Sequence, residues 1–373
     1  MAGPRILCDA VSFGYGPIGK LLAICANLPP SFDLTLLAAN SSFELAELSS
    51  FSRIIRCDTE EPSCLCEFRA EFENADLFLN VMNPVSAEYA ASIGTPIAHV
   101  DSLFWMWDTV PTSLMGAAAY FIQSFVGVRE QLRNFKIANP VLVGAIIDDR
   151  FQANEKANQL LINLGGLRSK LIEPGRNSNY AVIVAGALEQ VLCNHTFDRI
   201  LFTGDRTTMS ALAQLHHIPR CRFTTLGHAE FLRELARSAL LVTSPGLTTT
   251  YEAFAYHVPV VFLPPQNLSQ FLILKGLRAQ RAAPCSIHWL DFYPELDIEA
   301  GRPEDEGVRH VLSCIARFEG DKSAQRTLED TLCTFLSSPS YEAMQSNQRN
   351  FIERHGANGA LEVVAGIEAL ISS

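Results

Sequence analysis

The most constraining feature of this chain is a pattern that occurs twice: a short apolar run, a glycine-rich or polar turn, then helical spacing. Ile6–Val11 runs into Ser12-Phe-Gly-Tyr-Gly-Pro-Ile-Gly-Lys20, and Ile18, Leu21, Leu22 and Cys25 then follow at helical spacing over Ile18–Leu28. Leu34–Ala38, Arg53–Arg56, Leu77–Val81, Ile97–Val100, Tyr120–Ile122 and Val141–Val143 read as further strands. Short runs of this kind, separated by helical segments, indicate a parallel sheet covered on both faces. A polar stretch, Asp148–Asn158, reads as a linker, after which the pattern restarts. Leu160–Leu164 is a strand entering Gly165-Gly166, Leu167–Asn179 is a long loop, and Tyr180–Leu192 is a helix. Arg199–Phe202, Arg222–Thr224, Leu240–Thr243 and Val260–Leu263 complete the second set. The expectation is an α/β chain with two Rossmann-like domains, 1–150 and 151–373, facing across a cleft where strand carboxyl ends meet.

Bulk properties narrow the function. At 373 residues the chain exceeds one ordinary core. It is 48% apolar and 18% charged with a net charge of −11, a well-filled globular composition. An acidic balance argues against nucleic acid or anionic membrane as the main partner. Met1–Arg5 leads straight into Ile6–Val11 without a signal-peptide pattern, and no apolar stretch reaches membrane-spanning length, so a cytoplasmic protein is expected. Ten cysteines lack framework spacing, and Cys8, Cys25, Cys193 and Cys314 sit in apolar runs, as buried reduced thiols do. Cys64 and Cys66 have no second ligand pair, so no metal is expected. Asp148-Asp149 and Glu304-Asp-Glu306 read as solvated acidic runs.

The segment Thr243–Gln270 carries the most chemistry. Ser244-Pro-Gly246 turns out of a strand into a helix with Leu247, Tyr251 and Phe254 on its apolar side and Thr248, Thr249 and Thr250 in its first turn. A helix start presents unpaired amide N–H groups and a positive dipole end, and a glycine lets phosphate oxygens approach the backbone. Glu252 would repel a phosphate, so a ribose diol suits it better. Capping by Ser244 and the threonines is the competing reading. The next strand ends at Pro264-Pro265, followed by Gln266, Asn267, Ser269 and Gln270, whose amides match sugar hydroxyls.

Ser244-Pro-Gly-Leu-Thr-x-x-Tyr-Glu252-Ala, Val258-Pro-Val-Val-Phe-Leu-Pro-Pro265 and Gln270 together resemble the nucleotide-sugar signature of GT-B glycosyltransferases, notably UDP-glycosyltransferases and the GlcNAc transferase of peptidoglycan synthesis. Leu161-Ile-Asn-Leu-Gly-Gly166, Phe223–Ala229 and Phe351-Ile-Glu-Arg-His-Gly-Ala-Asn-Gly-Ala360 are similar to other regions of that family in the same order, covering roughly residues 159–370. The resemblance implies that Ser244, Gly246, Leu247, Thr248 and Thr249 hold a diphosphate and Gly165 and Gly166 border it. It implies Glu252 on the ribose, Leu226 on the base with His228 nearby, and Gln266, Asn267 and Gln270 on the sugar. The C-terminal helix is expected to pack back on the N-terminal domain. No cofactor is implied beyond a UDP-sugar co-substrate, and a homodimer is left open.

The acceptor side is less explicit. Gly14, Tyr15 and Gly16 lie where the family has its acceptor loop, yet Ser12–Lys20 has no histidine to serve as the base found in many relatives. Asp9 near the strand end is either a base or a structural acid. In Ile97-Ala-His-Val-Asp-Ser-Leu-Phe-Trp-Met-Trp-Asp108, Asp101 and His99 are candidate bases, and Trp105 and Trp107 could hold a flat acceptor or be core. That run resembles cytosylglucuronic acid synthases, which join cytosine to glucuronic acid from UDP-glucuronate. Arg168, Lys170 and Arg176, in the loop after Gly166, are then candidates to meet the glucuronate carboxylate, with a solvated loop as the competing reading for each. The expected activity is inverting glycosyl transfer to a small acceptor. Rivals are a UDP-GlcNAc 2-epimerase-like enzyme, a non-catalytic nucleotide-sugar binder and an oxidoreductase using Gly14–Gly19.

Overall fold

The computed structural model describes residues 3–46, 50–151, 153, 155–165, 178–298, 303–337 and 341–372. The chain divides into two compact units, Met1–Asp148 with Arg354–Ser373, and Asp149–Glu353.

The first unit holds a seven-stranded sheet. Its strands are β1 (Arg5–Ala10), β2 (Asp33–Ala38), β3 (Arg53–Arg56), β4 (Leu77–Val81), β5 (Ile97–Asp101), β6 (Ala119–Gln123) and β7 (Pro140–Val143). The order is β3-β2-β1-β4-β5-β6-β7, and every pairing is parallel. Side chains alternate across a strand, so each strand feeds two cores. Ile6, Cys8, Leu79, Val81, Ala98, Val100 and Phe121 join one core, with Ile18, Leu21 and Leu22 of helix Gly16–Cys25. Val363, Val364 and Ile367 of helix Gly359–Ser372 enter that same core, so the chain's last helix is part of this unit. Burying each of these side chains contributes about 1.5–3 kcal/mol relative to exposure. Leu7, Leu37, Phe78 and Ile97 face the other way, onto Leu65, Phe72 and Ala90.

The second unit holds β8 (Ala157–Asn163), β9 (Arg199–Thr203), β10 (Cys221–Thr224), β11 (Ser238–Thr243) and β12 (Val260–Phe262), all parallel, in the order β10-β9-β8-β11-β12.

Four expectations from the sequence need correction. The first helix begins at Gly16 and ends at Cys25, because Pro17 sits in its first turn, where its missing N–H costs nothing. Ala157 and Asn158 belong to β8 rather than to a linker, since pairing with β11 recruits even a polar strand start. Asp148 is buried, 3% exposed, rather than part of a solvated turn. Cys193 is exposed although its neighbours are apolar, whereas Cys8, Cys25 and Cys314 are buried. It follows the last residue of helix Ser178–Leu192, where the buried face no longer covers the chain.

No helix among the described residues is long and apolar enough to cross a membrane, and none of their side chains form a metal-holding cluster.

Candidate functional site

In the second unit β8 and β11 are neighbours although β9 and β10 lie between them in sequence. The strand order reverses there, and open parallel sheets receive ligands at the carboxyl ends of strands at such a reversal. β8 delivers Leu164 and Gly165 to this point, and β11 delivers Ser244, Pro245 and Gly246. Three polar contacts tie the turns together. Thr243 Oγ1 donates to the Asn163 carbonyl at 2.9 Å, and Gln266 Nε2 donates to the Leu164 carbonyl at 3.0 Å. Ser244 Oγ reaches the same Leu164 carbonyl at 3.5 Å.

The two glycines differ in why they are needed. Gly165 has φ +67°, a left-handed conformation that disfavours side chains, and its N–H donates to Asn163 Oδ1 at 3.0 Å. Gly246 has φ −78°, which any residue can adopt, and a Cβ built there would meet no atom within 4 Å. Gly246 is the N-cap of helix Leu247–Ala255 and, being glycine, offers no side chain to cap it. Ser244, two residues before the N-cap, turns its hydroxyl toward the Leu164 carbonyl. Thr250 Oγ1 turns back to the Gly246 carbonyl at 2.7 Å. Thr248 is buried and Thr249 is half-buried at the helix start.

Glu252 lies in the second turn, 1% exposed. Its Oε1 is 3.8 Å from Nε2 of His228, the first residue of helix His228–Arg237. His228 is itself buried, and Leu226, just before it, is half-buried. Thr225 in the same loop carries a buried hydroxyl without a hydrogen-bond partner.

The amide cluster has local duties. Asn267 caps helix Leu268–Ala279, its Oδ1 accepting from Gln270 N–H at 3.0 Å. Gln270 Oε1 accepts from the Gln266 N–H at 2.9 Å. Two residues that sequence reasoning missed position this turn. Tyr180 donates its hydroxyl to the Pro264 carbonyl, and Trp289 its indole N–H to the Pro265 carbonyl, each at 2.6 Å. A backbone carbonyl is the same acceptor at every residue, so its distant side-chain donor leaves no mark in the local sequence. Gly166, Arg168, Lys170 and Arg176 lie outside the described residues.

In the first unit the corresponding reversal falls between β1 and β4. Gly14 (φ +61°), Tyr15 and Gly16 follow β1 there, and the Tyr15 hydroxyl donates to Glu44 at 3.0 Å. Asp9 is inside β1 and fully buried. Its carboxylate accepts from Thr59 Oγ1 and Asn83 Nδ2, both at 2.8 Å, and from the Ser86 hydroxyl. Burial raises its pKa to about 6 against those hydrogen bonds. Asp9 is thus tied to side chains, not to backbone. Met82, which follows β4, holds a strained φ of +60° beside Asn83.

His99 stands between Asn80 and Tyr120 in sheet register. Its Nδ1 is 2.6 Å from Asn80 Oδ1, its ring is 4.8 Å from the Tyr120 ring, and burial lowers its pKa to about 3. Asp101 closes β5 and is also buried. It accepts from Leu103 N–H at 2.8 Å, the Tyr120 hydroxyl at 2.9 Å and the Trp107 indole N–H at 3.1 Å. Burial outweighs these donors and lifts its pKa to about 6. Trp107 is therefore pinned by Asp101. Trp105 packs on Phe125 with ring centroids 4.9 Å apart, and its buried indole N–H has no hydrogen-bond partner.

A scan against family models and a search of curated proteins matched nothing. Solved structures do match along the whole chain. S. aureus MnaA, in a co-structure with UDP, is 13% identical with a TM-score of 0.58, covering 99% of this chain and 97% of that one. Phytolacca americana UGT2, complexed with UDP-2fluoro-glucose and pterostilbene, is 12% identical with a TM-score of 0.57, covering 100% of both. The spinosyn rhamnosyltransferase SpnG is 13% identical with a TM-score of 0.56, covering 99% and 100%. At these identities the likeness is one of fold: two parallel α/β units of the GT-B class.

Proposed function

We propose that this protein is a glycosyltransferase that moves a sugar from a UDP-sugar to a small acceptor. The observation that carries this reading is the start of helix Leu247–Ala255. It begins at a glycine N-cap with open space beside it and stands at the reversal between β8 and β11. Such a helix end stabilises a leaving diphosphate through N–H groups and dipole without a metal. Glu252 receives the ribose, Leu226 and Gly165 flank the nucleotide, and Gln266, Asn267 and Gln270 lie on the sugar side. The fold neighbours that carry UDP or a UDP-sugar, and the one named a rhamnosyltransferase, support the same class.

In this reading the acceptor nucleophile bonds to the anomeric carbon as the carbon–oxygen bond to the diphosphate breaks. UDP leaves, configuration inverts, and the acceptor proton passes to a general base. Asp101 suits that task best among the three candidates. Asp9 and Asp101 share a pKa raised to about 6 and three hydrogen-bond donors each, but Asp101 closes β5 beside the Trp105–Trp107 run whereas Asp9 lies inside β1, and burial holds His99 near 3. Trp105, with its unpartnered N–H, and the pinned Trp107 supply a flat surface for a planar acceptor. The narrower reading is glucuronate transfer from UDP-glucuronate to cytosine, resting on the His99–Trp107 run.

The test is UDP titration of the wild type and Glu252→Ala, followed by a donor and acceptor panel read by mass spectrometry. Loss of the ribose contact should weaken UDP roughly 10-fold or more. Unchanged affinity removes the ribose assignment. Conversion of the donor without acceptor would favour an epimerase, and UDP binding with no turnover on any acceptor would favour a non-catalytic binder.

A further inference from the structure

Strands β9, β8 and β11 end in one polar row. Their last residues, Thr203, Asn163 and Thr243, stand side by side in register, and all three are buried. Both threonine hydroxyls are spent on backbone carbonyls, Thr203 Oγ1 on Ile162 at 3.1 Å and Thr243 Oγ1 on Asn163 at 2.9 Å. Asn163 differs. Its Oδ1 accepts from the Gly165 N–H at 3.0 Å and from Thr203 Oγ1 at 3.3 Å. The Gly165 N–H can only donate, so the amide oxygen faces it and the amide nitrogen faces away. Among the described residues Nδ2 meets no hydrogen-bond partner, although Asn163 is only 8% exposed. A donor buried to this degree ordinarily has one. The amide is planar and Oδ1 leans toward β9, so Nδ2 leans toward β11, the strand that runs through Ser244 to Gly246.

We infer that Asn163 is a diphosphate-binding residue: its Nδ2 donates to a phosphate oxygen lodged between the Gly165 turn and the start of helix Leu247–Ala255. This rests on the nucleotide reading of the site. An amide NH2 offers two donors and no acceptor, which suits a phosphate oxygen, a group that only accepts, and the bond is charge-assisted. One side chain then serves both partners. Its oxygen holds Gly165 in the left-handed turn, and its nitrogen faces the ligand. As the bond to the anomeric carbon breaks, the diphosphate gains charge, and a donor already fixed in place stabilises it without reorganisation.

The test is calorimetric titration of the full chain with UDP and with uridine, in wild type, Asn163→Asp and Asn163→Ala. Asn163→Asp keeps the acceptor that holds Gly165 and replaces the NH2 by an anionic oxygen. Asn163→Ala removes the donor without adding charge. In both, UDP affinity is expected to fall roughly 10- to 100-fold while uridine affinity moves by less than about 3-fold. The loss in Asn163→Asp should persist at about 0.5 M salt, where repulsion through space is screened. Loss in the Asp variant alone, recovered by salt, would refute the contact. Loss in the Ala variant alone would also refute it and leave Asn163 as a brace for the Gly165 turn. Equal losses for UDP and uridine would place the contact off the diphosphate and sink the assignment. Unchanged UDP binding in both variants would overturn the inference while leaving the nucleotide reading intact. If wild type does not bind UDP, the nucleotide reading fails and the inference with it.

Discussion

Gln266 donates its side-chain amide to the Leu164 carbonyl at 3.0 Å, joining the Pro264-Pro265 turn to the glycine turn after β8. The two residues are 102 positions apart and the contact is buried. It fixes the backbone immediately before Gly165. Gln266→Glu would face the carbonyl with a second acceptor, and Gln266→Ala would leave it only the 3.5 Å contact from the Ser244 hydroxyl. Each should cost about 1–3 kcal/mol of stability, Glu more than Ala, and weaken UDP binding several-fold. Thermal melts and calorimetry on both variants check this, and a Glu variant as stable as wild type would refute it.

Gly246 and Gly165 should respond differently to alanine. At Gly246 the backbone tolerates a side chain and a methyl meets nothing, so Gly246→Ala should leave the melting temperature nearly unchanged. The methyl would stand where phosphate oxygens approach, so UDP affinity should fall 10-fold or more. Gly165→Ala forces a left-handed φ on a residue with a Cβ and should cost about 1–2 kcal/mol of stability. A destabilised Gly246→Ala with normal UDP binding would assign that glycine to the fold.

Asp101 should make stability depend on pH in a defined direction. Its pKa is raised from 3.8 to about 6 by burial, so the folded state holds the proton more tightly than the unfolded chain. The stability this group supplies is full below about pH 4, declines as pH rises through about 6, and is flat above about 7. Asp101→Asn removes that titration. The variant should therefore gain on wild type by order of 1–3 kcal/mol between pH 4.5 and 7.5. Denaturant unfolding at both pH values measures this, and a constant difference would show that Asp101 does not titrate in the window.

His99 has the opposite sign. Burial lowers its pKa from 6.5 to about 3, so the unfolded chain binds the proton more readily. Its contribution is present above about pH 6.5 and is lost as pH falls through about 3. The imidazole nitrogen shifts of His99 should stay constant from pH 5 to 8, and His99→Gln should make unfolding less acid-sensitive. A ring that titrates near 6 by NMR would reinstate His99 as the acceptor-side base.

Much of this architecture was legible because period is a local property. Short apolar runs such as Leu160–Leu164 and Leu240–Thr243 needed no partner to be read as strands, and the glycines after Leu164 and Pro245 marked where they stop. Polar context misled where pairing overrides it, as at Ala157 and Asn158. The amides after Pro265 were legible as polar, but their use in capping helix Leu268–Ala279 was not, since either role suits the same residue types.

By itself, the sequence determined that the chain builds two parallel α/β units, and that a glycine-led helix follows an apolar strand in the second. Both are set by side-chain periodicity and backbone freedom over ten or fifteen residues. Only the tertiary structure decided that Asp9 is held by Thr59, Asn83 and Ser86, that Asp101 pins Trp107, and that His228 stands over Glu252. Strand order and helix packing bring most of these groups together from distant parts of the chain. Burial then sets how tightly each holds its proton, which depends on what surrounds a residue and not on what precedes it.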